Sequence, residues 1–283
     1  MLKSLLRPLT KLLRRARTFA ARPVVLIDEN LWNRATAGYV FVQSLNAEEN
    51  RRLRLIASDF LARKTITGAD GLKIDDLIRT QIAAQACILV LELGIKYYRG
   101  WSEIVVYPSQ FVPEREVVDE IGLVHTTRDA LAGEAWLGGP VVLSYADVAR
   151  SGDPEYGVAG YNVVIHEFAH KLDMLNGNAN GFPPMQKGMS REAWKRAFMS
   201  AYLDFCKQVD AADVHGRRSR LSRNHALDAL PLDPYASENP AEFFAVITES
   251  FFEMPHAIAQ SFPAVYEQLT LFYRQDPAAR IPA

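Results

Sequence analysis

The 283-residue sequence predicts an α+β fold, with a small mixed sheet packed against the active-site helix and helices making up most of the rest. Two observations predict it. The hydrophobic period switches along the chain from helical to alternating and back again. The strand-like stretches cluster in the middle, so the order is helices, strands, helices, and not a repeating βαβ array.

The elements follow in order. Residues 46–64 read as a helix, since Asn46 and Glu49 have the spacing of a capping box and Leu53, Ala57, Phe60 and Leu61 share one side. Residues 74–96 read as a second, more apolar and largely buried helix. The period then shortens. Glu103 to Tyr107, Gly122 to Thr126 and Val141 to Tyr145 read as strands, punctuated by Pro108 and by Gly139-Pro140. A helix from about Tyr161 to Leu175 stops at Asn176-Gly177. Ser190 caps another that reaches about Val209. Asn239-Pro240 opens a third, because proline suits the first helical position, and a short one runs from about Pro263 to Tyr273.

Hydrophobic content of 49% and charged content of 23% fit an ordinary globular chain. The two cysteines, Cys87 and Cys206, make neither a disulfide framework nor a zinc knuckle and are expected reduced, as in the cytoplasm. Lys3, Arg7, Lys11, Arg14, Arg15, Arg17 and Arg22 give residues 1–22 seven positive charges and no acid. The remainder then holds 25 basic and 33 acidic residues, a balance that argues against direct nucleic-acid binding. Arg217, Arg218, Arg220 and Arg223 read as a solvated loop, since no aromatic residues interleave with them. Residues 1–23 are set apart as a basic N-terminal tail and 24–283 as a single domain. Leucines recur at helical spacing in the tail, which allows peripheral membrane contact or partner docking, against the plain reading of a frayed terminus interrupted by Pro8. No secretory signal or membrane span is evident.

The chemistry concentrates in His166-Glu167-Phe168-Ala169-His170. Four helical residues rise about 6 Å and return to nearly the same face, so both imidazoles can reach one metal ion. Glu167 projects beside that ion. Zinc held by two histidines and a carboxylate keeps a position open for water, whose pKa falls to about 7. Glu167 can take that water's proton and pass it to a leaving amine. The motif follows the apolar run Val163-Val164-Ile165, so its helix is expected to be buried, where polar side chains need partners. The chain therefore reads as a zinc metallopeptidase acting on peptides. An extended substrate is expected to add to the sheet edge along Val141 to Ser144. The third metal ligand is open at this level. Glu242 is a candidate, but Asn239-Pro240-Ala241-Glu242 also has the form of a capping box. Glu249 lies two turns further along and suits either ligation or support of a ligand. Asp173 suits orienting a histidine or capping backbone. His125, His215, His225 and His256 read as ordinary histidines.

His166 to Asp173, Asp233-Pro234-Tyr235 and Asn239 to Val246 together resemble the Mlc titration factor A family, with lesser likeness at Leu91 to Gly94 and Ile121 to His125. The resemblance spans roughly residues 40–280. It implies a zincin-like fold of the gluzincin type, similar to the catalytic domain of anthrax lethal factor. It also implies Zn2+ held by His166, His170 and Glu242, with Glu167 as catalytic base. Tyr235 takes the place of a tyrosine whose hydroxyl bonds the oxyanion, beside the alternative of a tyrosine packed on a surface loop. The family resemblance further implies an aminopeptidase-like activity and a sugar-responsive transcriptional repressor as protein partner. A non-catalytic protein that sequesters such a regulator on a zinc-supported fold is the other reading.

Overall fold

The computed structural model describes residues 23–110, 115–118, 124–127, 133–136, 138–151, 160–216, 227 and 229–282. The basic head and the arginines at 217–223 lie outside them, as do Gly122 and Leu123 of the second expected strand.

The chain opens on α1 (Glu29–Thr36) and a single turn, α2 (Val40–Gln43). In α3 (Ala47–Arg63) the expected capping box is closed, with Asn46 accepting from the Glu49 N–H and Glu49 accepting from the Asn46 N–H. Strand β1 (Thr65–Gly68) follows, then α4 (Asp76–Ile88) and β2 (Glu103–Tyr107), which pairs parallel to β1. One βαβ crossover is therefore present. Its first strand is signalled only by the brief alternation Thr65-Ile66-Thr67. The apolar stretch 74–96 is not one helix. At its end the hydrogen bonds tighten to three-residue steps, Gln275 takes the Ile88 carbonyl, and Gly94 turns the chain at φ +81°.

Strands β3 (Arg115–Val118) and β4 (Val124–Thr127) form a separate antiparallel pair. Next come β5 (Gly133–Ala135), β6 (Val141–Ser144) and α5 (Tyr145–Arg150). The main sheet has the order β1-β2-β6-β5, with β5 alone antiparallel, so it is small and mixed as expected. One expectation is corrected. Val141 to Ser144 is not an edge, because β6 is hydrogen-bonded to β2 on one side and to β5 on the other. β5, which precedes β6 in the chain, covers it on that side. Among the described strands, the edge on this side of the sheet is β5.

Helix α6 (Val163–Asp173) packs against β5 and β6, and α8 (Pro240–Glu253) packs along α6. Val163, Val164, Ile165, Phe168, Ala169 and Leu172 are buried from α6, leaving its other stripe for polar side chains. Phe168 anchors that orientation. Its ring lies 5.1 Å from Tyr98, 5.6 Å from Trp101 and 5.7 Å from Phe60, and burying it contributes about 2–3 kcal/mol. The long α7 (Arg191–Gly216) holds α8 from behind, with Phe198 and Trp194 packed on Phe243 and Phe244. The helix passes the expected end at Val209, because nothing in its sequence breaks it there. Helices α9 (Pro255–Ser261) and α10 (Pro263–Tyr273) close the domain. Both cysteines are free thiols, and no described helix is long and apolar enough to cross a membrane.

Candidate metal centre

Helix α6 starts where the Asn162 side chain accepts from the Ile165 N–H. Helix α8 starts on Asn239, whose side chain accepts from the N–H groups of Ala241 and Glu242, with Pro240 in the first helical position. Asn239 thus caps the helix by its own side chain. The Glu242 carboxylate lies against the α6 histidines.

The three candidate ligand atoms form a nearly equilateral triangle. His166 Nε2 lies 3.2 Å from His170 Nε2, and Glu242 Oε2 lies 3.1 Å from the first and 3.3 Å from the second. Tetrahedral bonds of about 2.0–2.2 Å place neighbouring ligand atoms about 3.3–3.6 Å apart, close to this spacing. Two imidazole nitrogens and a carboxylate oxygen fit a divalent cation of the zinc type. Burial disfavours ionisation of Glu242, but the hydrogen bonds and charges of His166 and His170 prevail and hold it well below the usual carboxylate range.

Behind the triangle, Glu249 Oε1 accepts from His166 Nδ1 at 2.7 Å. That bond fixes the tautomer and turns the Nε2 lone pair toward the other two ligand atoms. Burial lowers the basicity of His166, yet Glu249 and Glu242 together raise it well above an ordinary histidine. The second oxygen of Glu249 accepts from the Asn162 N–H, and the Asn162 amide donates to Glu253 at 2.7 Å. Asn162 therefore both starts α6 and locks it to α8. Its signal was available as a capping residue before an apolar run. Glu249→Gln is expected to weaken Zn2+ binding about 10–100-fold. Competition against a chromogenic chelator measures it, and an unchanged affinity would show that His166 needs no carboxylate behind it.

Glu167, one residue on from His166, is 4% exposed. Burial pushes its carboxyl up to about 7, against the pull of the two histidines. Its Oε2 is buried with no hydrogen-bond partner among the described residues. Its other oxygen lies against β5, where a Cβ on Gly133 would sit 2.4 Å from Oε1. No sequence pattern marks Gly133; only the tertiary approach does. Asp173 accepts from the N–H groups of Asn180 and Gly181, both at 2.6 Å, so it caps backbone as one of its two expected uses. His170 Nδ1 and Asp173 Oδ1 are each buried without a hydrogen bond among the described residues.

Tyr235 belongs to a short turn, Pro234–Ser237, begun by Asp233 and held to α7 by the Tyr202 hydroxyl on the Ser237 carbonyl. The residue is 48% exposed and its ring centroid lies 6.2 Å from that of His166. His166, Glu167, His170, Tyr235 and Glu242 all line one open cleft of about 560 Å³, with β5 along one wall. Among the other histidines, His256 binds the Ile281 carbonyl at 2.6 Å and is structural. His225 and the side chains of His125 and His215 lie outside the description.

A family model described as glucose-regulated metallo-peptidase M90 matches residues 10–274, so the match takes in part of the basic head. Mlc titration factor A of Salmonella schwarzengrund (strain CVM19633) is 36% identical over 253 residues, covering 88% of this chain and 88% of the relative. The protein of that name from Salmonella arizonae (strain ATCC BAA-731 / CDC346-86 / RSK2980) is 36% identical, covering 89% of this chain and 93% of the relative. That from Yersinia pestis (strain Pestoides F) is 37% identical, covering 84% and 82%.

Proposed function

This chain belongs to the glucose-regulated metallopeptidase family, and from that premise we propose that it is a zinc-dependent, aminopeptidase-like peptidase of the cytoplasm with a zincin-like fold. The observation that carries the reading is the triangle of His166, His170 and Glu242 with buried Glu167 beside it. A purely structural zinc site closes all four positions with protein ligands and needs no base at its side.

His166, His170 and Glu242 would hold the ion. Zinc held there would supply a water of lowered pKa and a charge that polarises the substrate carbonyl. Glu167 receives the water's proton on a buried carboxylate and delivers it to the departing amine. The Tyr235 hydroxyl donates to the oxygen that gains charge as the carbonyl becomes tetrahedral. Glu249 keeps the His166 ring in place throughout. The peptide lies extended against the outer side of β5, the edge strand among the described residues, which runs past Glu167 along the cleft wall.

The test is hydrolysis of a mixed peptide library. Cleavage by zinc-loaded protein, lost on chelation and restored by zinc, is the expected result. Intact peptides with zinc bound would remove the peptidase reading. A second reading then takes over, in which the folded body binds a transcriptional repressor. It is favoured by the relatives' name, which makes them titration factors of Mlc. The two readings are compatible, and binding of purified Mlc to the zinc-loaded and chelated forms separates them.

A further inference from the structure

Helix α6 carries two pairs of polar side chains one turn apart. His166 and His170 turn to the candidate metal position, whereas Glu167 and Lys171 turn to β5. Glu167 meets the start of that strand at Gly133. Lys171 meets its end. The Lys171 side chain is buried, at 4% exposure, and its Nζ donates to the carbonyls of Trp136 at 2.5 Å and Gly139 at 2.8 Å. These two carbonyls bracket the turn that joins β5 to β6. The same Nζ lies 4.8 Å from the Trp101 ring centroid.

Burying an ammonium group is costly unless its donors are met. Here they are met by the backbone of one turn and the face of one ring. The object they hold is weak by itself. β5 has three residues, hydrogen bonds to β6 alone among the described strands, and ends in the half-exposed Trp136. A short edge strand of this kind has little cooperative support. Lys171 ties its far end to the helix that carries the histidines, and Gly133 lets its near end touch Glu167.

We propose that Lys171 is a positioning residue for extended peptide substrates, fixing the edge of β5 at a set height relative to His166, Glu167 and His170. The proposal rests on the peptidase reading and on the peptide lying against β5. It separates substrates by length. A peptide that pairs with several residues of β5 depends on the clamp, whereas a single aminoacyl anilide, too short to pair along the strand, does not. Lys171 also lies in the field of Glu167. If that charge pairing were its contribution, both substrates would suffer alike.

The experiment compares Lys171→Met, which keeps the apolar stem and removes the donors, with the parent protein, both zinc-loaded. Lys171→Gln, with a neutral donor, is the second variant should the first not fold. For a pentapeptide taken from the library, kcat/KM is expected to fall about 10–100-fold, mostly through KM, as expected for two lost charge-assisted hydrogen bonds. The anilide is expected to lose about threefold or less, and zinc stoichiometry to stay the same. Equal losses on both substrates, or no loss on the pentapeptide, overturn the proposal. Binding of the same pentapeptide to zinc-loaded Glu167→Gln protein, with and without Lys171→Met, is measured by calorimetry. If the parent cleaves nothing yet the pentapeptide binds and Lys171→Met weakens it about tenfold, the peptidase reading falls and takes the substrate-positioning role with it, leaving Lys171 as a residue that supports peptide binding only. Absence of binding to either form overturns both.

Discussion

Glu167→Gln is expected to lower peptide turnover about 10³-fold or more while changing zinc affinity by about threefold or less. The substitution keeps the shape of the side chain, which matters because Glu167 is wedged between the metal helix and the backbone of Gly133. It removes the ability to accept a proton. Nothing else within the described cleft is placed one residue from His166 with a buried, unpartnered oxygen, so no neighbour substitutes for it. The same change has an opposite signature in the metal-free protein. Burial raises the folded-state pKa of Glu167 to about 7, above the unfolded value of about 4.5. The folded chain then binds more protons than the unfolded chain between those values, so this group costs stability as pH rises through the window. Metal-free Glu167→Gln is expected to melt higher than the parent at pH 8, with the gap closing toward pH 4.5. Turnover above a tenth of the parent's would remove Glu167 as the base. A lower melting temperature at pH 8 would contradict the burial argument.

The sequence made the histidine-bearing helix α6 legible because two independent patterns agree there. The spacing of His166 and His170 puts two imidazoles on one face, and the apolar residues around them claim the opposite face. Phe168 in its aromatic nest is the physical reason the polar face points into the cleft. Glu242 was only half legible. A carboxylate three residues after a capping asparagine serves a capping box or a distant ligand equally well, and only the packing of α8 on α6 decides. Other failures have the same origin. Residues 82–91 are buried on every side and almost all apolar, so their period carries no information about where the helix stops; it ends at Ile88, whose carbonyl takes a side chain from residue 275. The edge strand β5 has three residues and no alternation to detect. Its contacts with Glu167 and Lys171 exist only after folding, so Val141 to Ser144 reads as an edge in the sequence although β5 covers it in the fold.

Glu242→Ala is expected to weaken zinc binding about 10²–10³-fold, the largest loss at any carboxylate of the centre. Structural zinc sites bind with about 10–16 kcal/mol, so one ligand among four accounts for roughly 3–4 kcal/mol, and the removed carboxylate also carries the charge that balances the ion. The competing candidate for the third ligand is Glu249, and geometry separates the two. Glu242 Oε2 faces the Nε2 atoms of both histidines at 3.1 and 3.3 Å, whereas Glu249 Oε1 meets His166 at Nδ1, on the other side of the ring. A carboxylate there cannot share an ion with His170 Nε2; it acts only through the imidazole. The two variants should therefore be graded, Glu242→Ala losing about tenfold more zinc affinity than Glu249→Gln, whose loss is about 10–100-fold. Equilibrium competition with a chelator of known affinity measures both. A reversed order would move the third ligand to Glu249 and require α8 to rotate by part of a turn. Such a rotation would pull Phe243 and Phe244 away from Trp194 and Phe198 and expose the apolar seam that fixes α8. The packing that holds the aromatic side of α8 in place is thus also what commits Glu242 to the histidines.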